Sequence, residues 1–131
     1  MDIQKQIERA IQKKVIETAE KVTRKVIADI DNDLVSQTPV DTGRAQNNWL
    51  PSINTPRNDT ISAEAPRQQA LDIVGRLNFG ETFYITNNLP YIRRLNDGYS
   101  KQQATPSWVE ATVQRNARKG NEVIREVVSG L

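Results

Sequence analysis

The stretch Tyr84–Gly98 reads Y-I-T-N-N-L-P-Y-I-R-R-L-N-D-G, and it hands a strand over to a helix. Residues Thr82–Thr86 alternate Thr/Phe/Tyr/Ile/Thr, so Phe83 and Ile85 fall on one face while Thr82, Tyr84 and Thr86 fall on the other, which predicts a half-buried strand. Asn87 and Asn88 can turn the chain because Asn tolerates left-handed backbone angles. Leu89 is pushed extended by the proline after it, and Pro90 suits the first turn of a helix. In that helix Tyr91 and Leu95 share a face, Arg93 and Arg94 point elsewhere, and Gly98 is placed to end it.

Upstream, the residues from Asp2 to about Ser36 contain no Gly or Pro. Apolar residues recur at Ile3, Ile7, Ile11, Val15, Ala19, Val22, Val26, Ile30 and Leu34. One long helix is predicted, about 50 Å if unbroken. All but one of the steps are four residues, so the apolar line walks about 220° around the helix by Leu34. A single flat partner does not cover such a line, and Ile3, Ile7 and Ile11 come to lie roughly opposite Ile30 and Leu34. Near the helix end, Asp29-Ile30-Asp31-Asn32-Asp33 opens like a calcium loop. Leu34 stands where the sharp-turn glycine belongs and Val40 where the bidentate acid belongs, so a solvated acidic helix end is expected and no metal site.

Thr38-Pro39 stops the helix. In Asp41-Thr42-Gly43 the Asp41 carboxylate can accept from the backbone N–H of Gly43 or Arg44, and Asp41→Ala is expected to cost about 1 kcal/mol, as lost caps do. Asp41, Gly43, Asn88, Pro90 and Gly98 thus form the set of structural turn residues. A short turn over Arg44–Asn47 delivers Trp49 into a strand at Asn48–Ile53, with Pro51 marking a sheet edge. Thr60–Ala63 is predicted to pair back, and Pro66–Leu77 to form a second helix weakened by Gly75. The polar run Tyr99–Thr105 reads as a loop. The last helix starts near Thr105–Ser107, with Ser107 and Glu110 at capping-box spacing and Gly120 as a potential break. The fold expected is α+β: a single domain with a long first helix (1–36), a small, mainly antiparallel sheet with two short helices (37–104) and a C-terminal helix (105–131). Trp49, Phe83, Ile85, Tyr91 and Leu95 are expected in the core.

At 131 residues a single core is affordable, yet apolar residues are 37% and aromatics 5%, which leaves much surface to water or to partners. Eighteen Lys and Arg against sixteen Asp and Glu give +2, too little by itself to mark a nucleic-acid binder. With no Cys and no His, disulfides, thiolate chemistry, Ser-His-Asp triads and His/Cys metal sites are excluded; no enzyme and no cofactor are expected. The first residues carry charges where a signal peptide needs an apolar run, and no stretch approaches the length of a membrane span.

The central stretch, together with T-P-V-D-T-G-R at Thr38–Arg44 and N-N-W at Asn47–Trp49, resembles the tail-completion (minor tail-component) family of tailed bacteriophages. The likeness runs from about Ser36 to about Trp108. It implies a structural virion protein, made in the host cytoplasm and built into the joint between head and tail. There it would form a homo-oligomeric ring, expected to be a hexamer, around the DNA channel, beside neck, connector or tail-terminator proteins and in non-specific contact with DNA. Asn96-Asp97 departs from the acidic-aromatic pair expected at that helix end. The candidate contact residues are Ile3, Ile7 and Ile11 on the first helix, and Arg93, Arg94, Tyr99 and Lys101 around the central stretch. The alternative is a small basic nucleic-acid-binding module, with Lys13, Lys14, Lys21, Arg24 and Lys25 on the first helix meeting phosphate. Glu8, Glu17 and Glu20 interleave with them, as on a solvated face.

Overall fold

A computed structural model describes residues 2–40, 43–98 and 106–131. The chain runs α1 (Ile3–Gln37), α2 (Arg44–Asn47), β1 (Leu50–Ile53), α3 (Ala70–Ile73), a 3₁₀ turn (Val74–Arg76), β2 (Phe83–Thr86), α4 (Ile92–Asn96) and α5 (Trp108–Ser129). This is the mixed architecture expected, with a long N-terminal helix, a C-terminal helix, short helices and a small antiparallel sheet. β1 and β2 pair antiparallel, with Leu50 opposite Thr86 and Ile53 opposite Phe83.

The two long helices pack on each other along a row of residues spaced by four. On α5 the buried positions are Trp108, Thr112, Asn116 and Gly120, and Gly120 meets Val22 and Val26 of α1. Asn116 Nδ2 donates to Asp33 Oδ2 at 2.9 Å, so α5 descends α1 antiparallel from its C-terminal end. α5 runs through Gly120, the potential break, without interruption. A Cβ there would stand 2.6 Å from Val26 Cγ2 and 3.2 Å from Val22 Cγ1, so the missing side chain is what lets the helices approach.

At the C-terminal end of α1 sits the core: Leu34, Trp49 and Trp108, with Ile30, Val35, Ile85, Ile92 and Val109 against them. The two indoles meet edge to face, 6.3 Å apart and inclined at 81°, an arrangement that contributes about 0.5–1.5 kcal/mol beyond burial. Each indole N–H is satisfied, Trp49 Nε1 by the Thr38 hydroxyl at 2.8 Å and Trp108 Nε1 by Leu95 O at 3.0 Å. Of the expected core residues, Trp49 is buried and Phe83, Ile85 and Leu95 are half-buried, but Tyr91 is exposed. The helix starts at Ile92, two residues after Pro90, and Ile92 takes the inward position that Tyr91 was expected to fill.

Residues 54–69 hold no regular element. Thr60–Ala63 is not a strand, because side-chain amides have taken over the role of a ladder. Asn48 Oδ1 accepts from Ile61 N–H at 2.8 Å, and Asn48 Nδ2 donates to Ile61 O at 2.8 Å and Arg44 O at 2.7 Å. One buried side chain thereby satisfies both backbone groups of Ile61, as a partner strand would. Asn47 Nδ2 donates to Ser62 O and Ala65 O, each at 2.7 Å.

The helix expected over Pro66–Leu77 is also shorter, being α3 and the 3₁₀ turn alone. Arg67 has to reach Asp31 and the Trp49 carbonyl (Nε to O, 2.9 Å), and helical geometry begins only after Gln69, which is extended and forms a capping box with Asp72.

The acidic end of α1 also differs from expectation. Asp31 is buried, with Arg67 paired to one carboxylate oxygen while the other accepts the Ala70 N–H at 2.9 Å. Its neighbours face other partners: Asp29 pairs with Lys25 at 2.8 Å, and Asp33 with Asn116 and Arg115.

A further correction falls at the start of α5. Ser107 lies in the left-handed region and makes no side-chain cap. Asn96, at the end of α4, supplies the cap from a distance: its Oδ1 accepts the Val109 N–H at 2.9 Å, while its Nδ2 donates to both Glu110 carboxylate oxygens at 3.0 and 2.9 Å.

Candidate functional site

Asp2 accepts the Lys5 N–H at 3.2 Å and caps α1, so the helix begins in an ordered turn. From there to Lys14 every residue is exposed, and Val15 is the first with partial cover. These roughly three turns extend about 18 Å. A helix this short is marginal in water by itself, but here it continues a helix already nucleated by packing, so only propagation is needed. Ile3, Ile7 and Ile11, spaced by four, are 68%, 54% and 40% exposed.

The other candidate contact residues lie elsewhere. Arg93 and Arg94 are exposed on α4, whose Ile92 packs beside Leu34. Ile3 and Leu34 are separated by about 46 Å of helix, so the structure does not bring the two groups together. Arg93 stands beside a depression of about 140 Å³ lined by Trp49, Ile92 and Val109. Tyr99 and Lys101 lie outside the described residues, as does Asp41. The remaining turn residues have visible work. Gly43, at φ +83°, precedes α2, and Gly98, at φ +88°, donates to Leu95 O at 3.2 Å and closes α4. Asn88 Nδ2 donates to Arg57 O at 2.8 Å and Asp59 O at 3.1 Å, and Pro90 sits exposed in the turn into α4.

Two of the five basic residues considered on α1 are met locally. Lys13 faces Glu17 at 3.8 Å and Lys25 faces Asp29 at 2.8 Å, both four apart along the helix. Such pairs add only about 0.3–0.5 kcal/mol each, but they neutralise charge that would otherwise be presented to phosphate.

The run Asn78-Phe79-Gly80 reads as the end of the second helix, and the structure has a turn there, Asn78–Glu81, whose exposed tip that reading does not anticipate. Phe79 is 81% exposed at its tip, and Gly80 takes φ +90°, the left-handed region that favours glycine. The Glu81 carboxylate closes the turn by accepting the Asn78 N–H at 2.7 Å and the Asn54 side-chain amide at 2.7 Å, while Asn54 Oδ1 accepts the Thr82 N–H at 3.2 Å. The Asn78 N–H, then the Asn54 amide, hold the Glu81 carboxyl below the usual carboxylate range, because both stabilise its charged form. Between this turn and α1 at Ala19–Arg24 runs a largely apolar groove of about 200 Å³. A spacing-based reading passes over Phe79, since a lone aromatic beside Gly carries no period.

Among the described residues no helix is long and apolar enough to cross a membrane. Searches against protein-family models, curated proteins and solved structures return no match to this chain.

Proposed function

We propose that this chain is a structural subunit of a multi-copy assembly, a tail-completion component that forms a ring around the DNA channel at the head–tail joint of a tailed bacteriophage. The observation that carries the reading is the capped, uncovered start of α1 with Ile3, Ile7 and Ile11 in a row. Burying each fully contributes about 1.5–3 kcal/mol, enough together for a contact repeated around a closed ring. The resemblance over Ser36–Trp108 supplies the assembly. Local pairing of Lys13 and Lys25 supports a packing role for α1 over a nucleic-acid-binding one.

The test is deletion of Asp2–Ile11. The shortened chain should keep its helical circular dichroism and its cooperative melt, because the removed residues touch no core, yet should fail to enter particles. Incorporation at the level of the intact chain overturns the reading. So does submicromolar duplex binding that weakens steeply between about 50 and 200 mM salt, the signature of a dedicated phosphate binder.

A further inference from the structure

We infer that the groove beside Phe79 is the seat for the start of α1 from a second copy, so that successive subunits join head to tail; this rests on the assembly reading above. Two apolar surfaces of one chain stand uncovered without overlapping. One is the row Ile3, Ile7 and Ile11; the other is Phe79, 81% exposed, with Leu77 and Ala19 beside it in the groove. The chain cannot satisfy itself. The groove is walled by α1 at Ala19–Arg24, and α1 is one unbroken helix from Ile3 to Gln37, so its own first turns cannot fold back upon it.

Size and charge match the same occupant. A groove of about 200 Å³ takes a branched aliphatic side chain or two, not a duplex backbone. Its walls carry Glu20 and Glu81 against Arg24, while residues 2–14 carry Lys5, Arg9 and Lys14 against Asp2 and Glu8, with Lys13 paired to Glu17. The receiving turn is also built in advance. Asn54 and Glu81 hold Asn78–Glu81 by hydrogen bonds, so little loop entropy is lost when Phe79 is covered. Donor and acceptor are different patches, so the contact is heterologous, the type that closes into a ring or runs on as a filament. Ile7 and the groove are offset by about 22 Å along α1, so neighbouring first helices would overlap in a staggered row.

Cysteine crosslinking tests this directly, because the chain has no cysteine of its own. An Ile7→Cys chain, mass-labelled, is mixed with a Phe79→Cys chain under a mild oxidant; a disulfide forms only where the Cα atoms come within about 7 Å. Both positions are exposed, so neither change threatens folding. The mixed disulfide should exceed by at least about fivefold the yield from Ile7→Cys with Val113→Cys, an exposed control on α5. Equal yields overturn the groove assignment. Dominant Ile7–Ile7 disulfides also overturn it, by showing first helices paired with each other, and leave the assembly reading standing. That reading is tested separately, by whether the Asp2–Ile11 deletion enters particles.

Discussion

Gly120 stands so close to Val26 that a Cβ at Gly120 would lie 2.6 Å from Val26 Cγ2. Valine is stiff at χ1, so it does not swing aside cheaply. Gly120→Leu should therefore destabilise the chain by about 1–3 kcal/mol through overpacking, despite leucine's better helix propensity. Chemical denaturation would show it. Adding Val26→Ala should recover part of the loss, and no recovery would place the damage elsewhere.

Asp31→Ala strands the Arg67 guanidinium and removes the acceptor for Ala70 N–H. Asp31 is 1% exposed and the Arg67 side chain 11%. Breaking one side of such a buried pair costs about 3–5 kcal/mol. The urea midpoint should fall accordingly, and a shift near zero would mean that the pair is solvated in solution.

Asn48→Ala should release Ile61. The side chain makes three hydrogen bonds in a fully buried setting, and leaving the backbone groups unpaired costs about 1–3 kcal/mol. The sharper readout is amide hydrogen exchange, which should accelerate at Ile61 more than in α5.

Asn96→Ala should cost about 1 kcal/mol, as other lost caps do, since Val109 N–H loses its acceptor. Ser107→Ala should be nearly silent, because the serine makes no cap. The reverse ranking in thermal melts would restore Ser107 as the capping residue.

Acidification should loosen the Phe79 turn. Glu81 is held below the usual carboxylate range in the folded chain, so its stabilising effect is present above that range and is lost as pH falls through the lowered value. A carboxyl carbon titration by NMR should place the Glu81 midpoint below the usual glutamate range, with the Phe79 amide shift following it. A midpoint within that range would rule out the clamp.

The elements that could be read in advance are those with a period. The row of four-residue steps marked α1, alternation marked β2 around Phe83 and Ile85, and Thr38-Pro39 marked the stop between helices. What could not be read depends on single amide side chains meeting backbone far along the chain. Asn48 to Ile61, Asn88 to Arg57 and Asn96 to Val109 are contacts between residues 13, 31 and 13 positions apart, and none leaves a periodic trace. The buried Asp31 was hidden for a similar reason, since its partner Arg67 lies 36 residues away. Of the candidate contact surface, the uncovered isoleucines followed from the rotating apolar row, whereas Phe79 had no pattern to announce it.

The antiparallel seat of α5 on α1 has a further consequence, one of timing. Leu34 and Trp108 share one cluster, yet the second leaves the ribosome some 74 residues after the first. At about 5–20 residues per second, the long helix waits several seconds with Val22, Val26 and Ile30 uncovered before its mate exists. Its stretch of charged and polar residues between those apolar steps then serves as protection during synthesis, keeping a half-made chain from sticking to another. Folding should be slow for a protein so rich in helix, because the contact that completes it joins residues far apart in the chain.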